Sequence, residues 1–410
     1  MGNGKQRCAS SLKLFRLEER LIEIRYARPG LRMSIQSLTS PYYERIRATK
    51  QCYRNVWAYR RVDHIPVFVR ITGRLGHTRR EIIESDELQY QMNLSNLERS
   101  LRILPDDYIP YARVWFGYMT IATMFGLPVH WSDSPDQSPG VAHPLITDME
   151  AVYRLKKPQA SRDGLMPDNL RLQRLFAERF PKWVYLTGFD LGGPLNSCRD
   201  LIESSVLYTA MIEQPEALHH LLAMLTDLQI ACYNAGIEAA GGLERMTQVD
   251  LAQIWAPEGH KGFVSDDVCA TISPAMFEIF SKPYNNRIYA RWPGGLLHNC
   301  GPHPAADYYL DHKPPINGIN CSFRYTRNSL RLLRKAFAGR GLVQVMFDNG
   351  ETAETMVEGF RFLMEELAPD VIALPVPQVD DSWNDAEIID LYNAMREVAV
   401  EYAANIRWRE

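Results

Sequence analysis

Short apolar runs alternate with helical patterns from residue 64 to the end of the chain. Eight of these runs have the length of buried strands: 64–71, 109–116, 183–189, 262–265, 295–300, 316–321, 342–347 and 371–376. Strands that alternate with helices in this way predict an α/β protein, and eight of them predict a TIM (β/α)8 barrel. An open doubly wound sheet is the alternative, although no glycine-rich phosphate-binding motif follows the first strand.

The helices between these strands show one-sided apolar stripes and start signals. The segment 216–240 carries apolar residues at 218, 221, 222, 225 and 228, which is helical spacing. Further helices are predicted at 276–288, 329–337, 352–367 and 385–404. Ser273 followed by Pro274 is a typical helix start, and Asn384 with Glu387 has the spacing of a capping box.

The pattern divides the chain into an extension and a barrel. Residues 1–60 form a helical N-terminal extension, and its first 50 residues hold 11 Lys or Arg against 4 Glu. Residues 61–410 form the barrel. Within it, the stretch 118–182 is long and rich in Pro, Ser and Asp, which predicts an excursion over the barrel mouth.

Composition narrows the class of protein and its surroundings. The 410 residues are 46% hydrophobic and 23% charged with a net charge of −3, which is typical of a globular enzyme that takes a small-molecule substrate and does not bind nucleic acid. Seven cysteines, an odd number, favour free thiols or a metal site in a reducing compartment. No apolar run reaches the roughly 18 residues of a membrane span, so we expect a cytoplasmic protein and, as the commonest assembly, a homodimer.

The clearest chemical signal is His298-Asn299-Cys300-Gly301 at the end of the fifth predicted strand. Residues two apart on a strand share a face, so His298 and Cys300 point the same way at the barrel rim. Cys321 ends the next strand, and the three side chains predict a zinc site with an open fourth position. The alternative is that both cysteines are buried apolar thiols and that His298 is a hydrogen-bonded core residue.

Further candidates also follow strands. Arg70 and Arg74, at the end of the first strand, have the chemistry to clamp carboxylates or phosphates, or else form surface ion pairs. Asp266 and Asp267 act as acid/base groups or fix a metal-bound histidine, or else cap the following turn. Asp348, in a turn-like stretch after the seventh strand, is assigned to substrate binding.

From about residue 62 to 405 the order of segments resembles the uroporphyrinogen decarboxylase superfamily. That group includes corrinoid-linked methyltransferases of the methylcobamide:coenzyme M type and, more distantly, cobalamin-independent methionine synthase. The matching segments are PVFVRITGR, MFGLPVHW, SDDVCATISPAMFEIFSKPY, LLHNCG and EGFRFLMEELAPDVIALPVP. The resemblance implies a TIM barrel with the active cleft at the carboxyl ends of its strands.

Two chemistries within the superfamily compete. The zinc methyltransferases carry His-x-Cys at one strand end, which His298 and Cys300 match, while Cys321 lies near a position often held by Glu. A further Cys near their last strand is replaced here by Pro377. The decarboxylases carry substrate-binding arginines that Arg70 and Arg74 resemble. They also hold the pyrrole N–H groups with an aspartate after the second strand, where this chain reads VWFGYMT and offers no carboxylate.

The sequence therefore favours a zinc-dependent methyltransferase that moves a methyl group from a methyl-corrinoid, carried by a partner corrinoid protein, or from a folate to a thiol acceptor. His298, Cys300 and Cys321 would be the zinc ligands, and Asp266, Asp267 and the arginines would assist. The runner-up is a metal-independent decarboxylase or lyase in which Asp266, Asp267, His298 and the arginines act on a carboxylated substrate. A corrinoid- or porphyrin-binding scaffold without catalysis is the third reading.

Overall fold

The structure is a computed structural model that describes residues 39–105, 107–348 and 350–409, with the backbone alone for residues 39–41. The first 38 residues of the predicted basic extension lie outside the described residues. The strands are β1 (Arg70–Ile71), β2 (Tyr111–Ala112), β3 (Val129–His130), β4 (Gly140–Val141), β5 (Tyr185–Leu186), β6 (Phe263–Ser265), β7 (Leu296–His298), β8 (Gly318–Ser322), β9 (Leu342–Met346), β10 (Ile372–Val376) and β11 (Gln378–Val379). Each of the eight predicted strands contains or overlaps one of them.

The strands form a parallel α/β architecture. Five of them make one parallel sheet in the order β10-β9-β8-β7-β6, and parallel pairs join β1 to β11 and β2 to β5. Every residue of β8 and β10 is buried, as expected when helices cover one face and the barrel interior the other. In the described part of the chain, no hydrogen-bonded strand pair joins β1 to β2, so closure of the barrel stays a prediction.

One extended segment was not predicted. Residues 246–250 run parallel to β5 through bridges from Leu186 to Met246 and from Phe189 to Asp250. The N–H of Val249 donates to the carbonyl of Lys261, just before β6, at 3.0 Å. This segment therefore connects β5 to the five-stranded sheet.

The helices are α1 (Thr39–Trp57), α2 (Arg79–Ile83), α3 (Asp86–Ile103), α4 (Thr120–Met124), α5 (Met166–Arg179), α6 (Pro194–Leu201), α7 (Ser204–Glu213), α8 (Pro215–Ala240), α9 (Pro274–Phe280), α10 (Lys282–Tyr289), α11 (Ala306–Tyr309), α12 (Phe323–Thr326), α13 (Leu330–Phe337), α14 (Ala353–Leu367) and α15 (Asp385–Asn405). The predictions for α8, α13, α14 and α15 are confirmed. Ser273 caps α9, and Asn384 forms the predicted capping box with Glu387.

The helix predicted at 276–288 is wrong as a single element, because it breaks at Ser281 into α9 and α10. Pro283 has no N–H to donate to the preceding turn, which removes one bond of a continuous helix. At the break, the Ser281 hydroxyl donates to the buried carboxylate of Asp266. This hydrogen bond connects the residue between α9 and α10 to Asp266, the residue that directly follows β6.

The stretch 118–182 contains α4, the antiparallel β3–β4 hairpin and α5, and α5 packs against α8. Whether it covers the barrel mouth, and whether the extension ends at residue 60, stay predictions. None of the helices within the described ranges combines the length and apolar character that crossing a bilayer requires.

Candidate functional site

Three side chains of different chemistry meet where β6 and β7 end. His298 is the last residue of β7, Cys300 follows two residues later, and Asp267 lies two residues beyond β6. The Cys300 Sγ lies 3.3 Å and an Asp267 carboxylate oxygen 3.4 Å from His298 Nε2. One sulfur, one nitrogen and one oxygen atom therefore lie within 4.8 Å of one another.

Asp267 and His298 each stabilise the charged form of the other. Burial alone would lower the pKa of His298, but the Asp267 carboxylate and the contact with Cys300 outweigh it and raise that pKa well above its usual value. Burial would likewise raise the pKa of Asp267, but the His298 cation and the N–H of Cys300, which donates to Asp267 at 3.0 Å, lower it. In the metal-free protein the carboxylate of Asp267 thus favours the protonated ring of His298, and Cys300 lies beside this pair.

The other ring nitrogen of His298, Nδ1, is held by a hydrogen bond to Asn320. Its Nδ1 lies 2.6 Å from the Oδ1 atom of Asn320, at the paired position on β8. The amide nitrogen of Asn320 donates to Gln344 Oε1 on β9 at 2.7 Å, so the oxygen of Asn320 is the atom that faces the ring. Nδ1 is therefore the donor in this pair, and Nε2 is directed toward Cys300 and Asp267.

The prediction for Cys321 as a ligand is corrected by the register of the strands. His298 pairs with Asn320, so Asn320 shares its face, and Cys321 points to the opposite side of β8. Cys321 is fully buried, and burial raises the pKa of its thiol to about 12. Its sulfur does not belong to the three-atom cluster. Cys321 therefore matches the alternative interpretation, a buried apolar thiol.

Asp266 also points away from the cluster, although Asp267 belongs to it. Asp266 is fully buried and accepts hydrogen bonds from Ser281 and, at 3.1 Å, from Asn285. Burial raises its pKa to about 6. Its contacts hold the α9–α10 break in place, so the structure does not support the acid/base role predicted for it.

The Asp266→Asn variant tests this structural role. Wild-type Asp266 holds its proton to higher pH when folded than when unfolded, so its contribution to the free energy of unfolding falls as pH rises from 3.8 to about 6. The side-chain amide of the Asp266→Asn variant does not titrate in this pH range. We expect the variant to gain up to about 3 kcal/mol relative to wild type across this window, measured by urea unfolding at stepped pH. Parallel pH profiles for the two proteins would contradict the assignment.

Arg70 and Arg74 line a cavity of about 440 Å³ at the ends of β1 and β2. Arg70 is partly buried and donates to Gln378 at 2.8 Å. Arg74 is more exposed and pairs with Asp136 in the β3–β4 loop. The structure thus brings the two predicted arginines to one cavity, which none of the cluster residues lines.

Asp348 belongs neither to the three-atom cluster nor to the cavity lined by Arg70 and Arg74. Its carboxylate accepts from the Ser322 hydroxyl at 3.2 Å, and it lines an open groove between α12 and α14.

The sequence analysis missed four residues near these sites. Asn320 and Gln344 lie behind His298, and Arg79 and Arg113 line the same cavity as Arg70 and Arg74. A signal was present for Arg113, because it directly follows the short strand β2, just as Arg70 lies in the short strand β1.

The donor set of the cluster fits zinc. Zn²⁺ takes sulfur, imidazole nitrogen and carboxylate oxygen, and its catalytic sites use three protein ligands and leave one position open. The exposed fraction of the Asp267 side chain is 31% against 8% for His298, so one side of the cluster faces solvent. His298, Cys300 and Asp267 would therefore hold the ion, and that side would admit a further ligand.

Comparison with known proteins gives relatives in one family. A sequence profile of the family described as uroporphyrinogen decarboxylase (URO-D) matches residues 49–325. A uroporphyrinogen decarboxylase of Xanthomonas campestris pv. campestris (strain B100) is 26% identical over 241 residues, which are 57% of this chain and 59% of that protein. One of Xanthomonas oryzae pv. oryzae (strain PXO99A) is 28% identical over 177 residues, 42% of this chain and 43% of that protein. The chain thus spans 59% or less of the length of these curated relatives.

A solved structure shows the same fold. A methyltransferase from Methanosarcina mazei superposes with a TM-score of 0.63 and 17% sequence identity, covering 86% of this chain and 98% of that one. At this identity the likeness concerns the fold alone. Because the family profile matches more than half of the chain, the protein belongs to the uroporphyrinogen decarboxylase (URO-D) family.

Proposed function

We propose that this protein is a zinc-dependent methyltransferase of the URO-D superfamily, which moves a methyl group from a methyl-corrinoid or a folate to a thiol acceptor. The observation that carries the proposal is the cluster of His298, Cys300 and Asp267, one donor atom of each lying within 4.8 Å of the others. Zinc, when bound, lowers the pKa of a coordinated thiol, so that the acceptor is a thiolate at neutral pH. A closed (β/α)8 barrel is part of this proposal.

Each residue of the site has its own role in the proposed reaction. Cys300 and Asp267 hold the ion together with His298, whose ring is oriented by Asn320. Asn196 donates to the second carboxylate oxygen of Asp267 at 3.2 Å and restrains that side chain. The arginine cavity holds an anionic part of the acceptor, and Asp348 stays a proposed substrate contact. A corrinoid protein as methyl donor and a homodimeric assembly are further expectations of the proposal.

The test is thiol-dependent consumption of methylcobalamin. Full-length protein is stripped with a chelator, reloaded with zinc, and mixed with methylcobalamin and a panel of small thiols, while the visible spectrum reports demethylation. We expect turnover with at least one thiol in the zinc-loaded protein and its loss after stripping. Zinc-loaded protein that demethylates no faster than free zinc with any thiol would contradict methyl transfer from a corrinoid, and a methyl-folate arm extends the test to the second donor.

The second candidate is a metal-independent decarboxylase or lyase that acts on a carboxylated substrate. It is favoured by the names of the curated relatives and by the arginines that line the cavity. This reaction would survive chelation and would be lost in Arg70→Ala. Release of CO₂ from a polycarboxylate by chelator-treated protein would support this candidate over methyl transfer.

The Asn320→Ala variant tests the orientation of His298. Removing the acceptor frees the ring to turn and to carry its proton on either nitrogen, so we expect zinc affinity to fall roughly 10–100-fold. Asn320→Asp keeps an acceptor at the same place and should retain affinity within a few-fold of wild type. Competition with a chromophoric chelator measures both variants, and equal affinity for wild type and Asn320→Ala would contradict the role.

A further inference from the structure

The loop that carries Cys300 packs directly against the end of α12. The carbonyl of Cys300 accepts hydrogen bonds from the Thr326 hydroxyl and from the N–H of Ser322, each at 3.3 Å. Gly301 has a φ of +108°, and a Cβ atom there would lie 2.9 Å from Thr326 Oγ1 and from the backbone of Tyr325. Glycine therefore allows an approach that a side chain would prevent. The backbone of Cys300 is thus held by the last residue of α12.

A buried histidine is hydrogen-bonded to Thr326. His303 and Thr326 are both fully buried, and His303 Nε2 lies 2.9 Å from Thr326 Oγ1. A hydroxyl group carries one hydrogen and two lone pairs. Because the hydrogen of the Thr326 hydroxyl is directed to the carbonyl of Cys300, the hydroxyl oxygen accepts from His303. The hydroxyl of Thr326 therefore links His303 to Cys300.

Asn299 determines which ring nitrogen of His303 is the donor. The amide oxygen of Asn299 accepts from the N–H of Gly301 at 2.8 Å, and its amide nitrogen donates to the carbonyl of Pro302 at 3.0 Å. That nitrogen also lies 3.4 Å from His303 Nδ1, and an amide nitrogen can only donate. Nδ1 is therefore the acceptor, and Nε2 carries the proton that is donated to Thr326. Burial lowers the pKa of His303 to about 3, so the ring is neutral at pH 7 and keeps one donor and one acceptor.

Each residue of the three-atom cluster is then restrained by a second residue. Asn320 orients the ring of His298, and Asn196 donates to the carboxylate of Asp267. For Cys300 the restraint acts on the backbone, because its N–H donates to Asp267 at 3.0 Å and its carbonyl is held by α12. Once the backbone is fixed, the position of Sγ depends on a single torsion angle. These hydrogen bonds therefore direct the sulfur toward His298 Nε2, which lies 3.3 Å away.

We propose that Thr326 and His303 are positioning residues of the zinc site, which hold the backbone of Cys300 so that its sulfur binds the ion. Neither side chain belongs to the three-atom cluster itself. Groups that orient metal ligands typically contribute roughly 10–100-fold to metal affinity. The inference rests on the proposed function only for the presence of zinc, and it requires neither a methyl donor nor turnover.

Zinc binding by full-length Thr326→Val and Thr326→Ser, each stripped with a chelator beforehand, tests the role of the hydroxyl. Valine has the shape of threonine without the hydroxyl, whereas serine keeps it. In competition with a chromophoric chelator, we expect Thr326→Val to bind zinc roughly 10–100-fold more weakly than wild type and Thr326→Ser to stay within a few-fold of it. In cobalt-loaded protein, the absorption band that arises from the bond between sulfur and metal should weaken or shift in Thr326→Val alone.

The role of His303 is tested in the same assays. His303→Gln keeps an amide N–H that can donate to Thr326, so it should retain zinc affinity. His303→Leu offers no donor and should lose affinity to the same extent as Thr326→Val. If Thr326→Val does not fold, as judged by its melting curve, the comparison of His303→Gln with His303→Leu decides.

Thr226→Val is the matched control for a general loss of stability. Thr226 on α8 is also fully buried, and its hydroxyl donates to the carbonyl of Leu222 at 2.6 Å. We expect this variant to keep the zinc affinity and the cobalt spectrum of wild type.

Three results would overturn the inference: equal zinc affinity in Thr326→Val and Thr326→Ser, equal losses in Thr326→Val and Thr226→Val, or a cobalt band that Thr326→Val leaves unchanged. Wild-type protein that binds no zinc would overturn the zinc site itself and this inference with it. Zinc binding without methyl transfer would contradict the proposed function alone, and the positions of Thr326 and His303 in the zinc site would stand.

Discussion

The Cys300→Ala protein is expected to be isolated without zinc, whereas the Cys321→Ala protein is expected to carry about one zinc ion per chain. Cys300 supplies the only sulfur of the three-atom cluster, and its loss leaves two donor atoms for the ion. Affinity should then fall by more than the roughly 100-fold typical of losing a group that only orients a ligand. Cys321 is the matched control, since it is also a cysteine at the end of a strand but points away from the cluster.

Elemental analysis of the two purified variants and wild type measures this directly. Both substitutions remove one sulfur atom from the same region, so a general loss of stability would affect both and would appear in their melting curves. Methyl-transfer activity should follow the zinc content in all three proteins. Equal zinc content in Cys300→Ala and wild type, or loss of zinc from Cys321→Ala alone, would show that the ligand set is wrong.

The Lys261→Met variant is expected to lose about 3 kcal/mol or more of its free energy of unfolding. Lys261 is 6% exposed, burial lowers its pKa to about 7, and its Nζ donates to the carbonyls of Met246, Thr247 and Ala256 at 2.9, 3.0 and 2.7 Å. It also lies 5.1 Å from the ring of Trp255. Methionine fills a similar volume but leaves three buried carbonyls without this donor, at about 1–3 kcal/mol each before water and local rearrangement compensate.

Urea unfolding with a tryptophan fluorescence signal measures the effect. Lys157→Met is the matched control, because Lys157 is exposed and makes one surface ion pair, with Asp227, of the kind worth less than about 1 kcal/mol. A loss in Lys261→Met no greater than in Lys157→Met would contradict the role given to the buried amino group of Lys261. Loss of the 246–250 connection in the variant should also appear as faster amide exchange there.

The eight strands were predictable because each is a short apolar run, and both faces of a parallel strand are covered. The 246–250 segment was not, because it reads MTQVD and its polar side chains carry no apolar pattern. Thr247, Gln248 and Asp250 are nevertheless fully buried. Tyr233 donates to the carboxylate of Asp250, and burial raises the pKa of that carboxyl to about 8. Tertiary contacts, which the local sequence does not encode, thus hold this segment in place.

The cluster could be predicted only in part for a related reason. His298 and Cys300 share a face by alternation along one strand, which sequence spacing determines. The face shown by the next strand depends on register, and a shift of one residue exchanges Cys321 for Asn320. Of the adjacent aspartates, the fold directs Asp267 to the cluster and Asp266 to Ser281, a choice that depends on the conformation of the chain after β6.

X-ray absorption at the zinc edge of the purified protein tests the ligand set most directly. The account predicts one sulfur at about 2.3 Å, from Cys300, and otherwise nitrogen and oxygen neighbours at about 2.0–2.2 Å. The sulfur shell should vanish in zinc-loaded Cys300→Ser and persist in Cys321→Ser. Two sulfurs per zinc, or a spectrum unchanged by Cys300→Ser, would contradict a site built from one imidazole, one thiolate and one carboxylate.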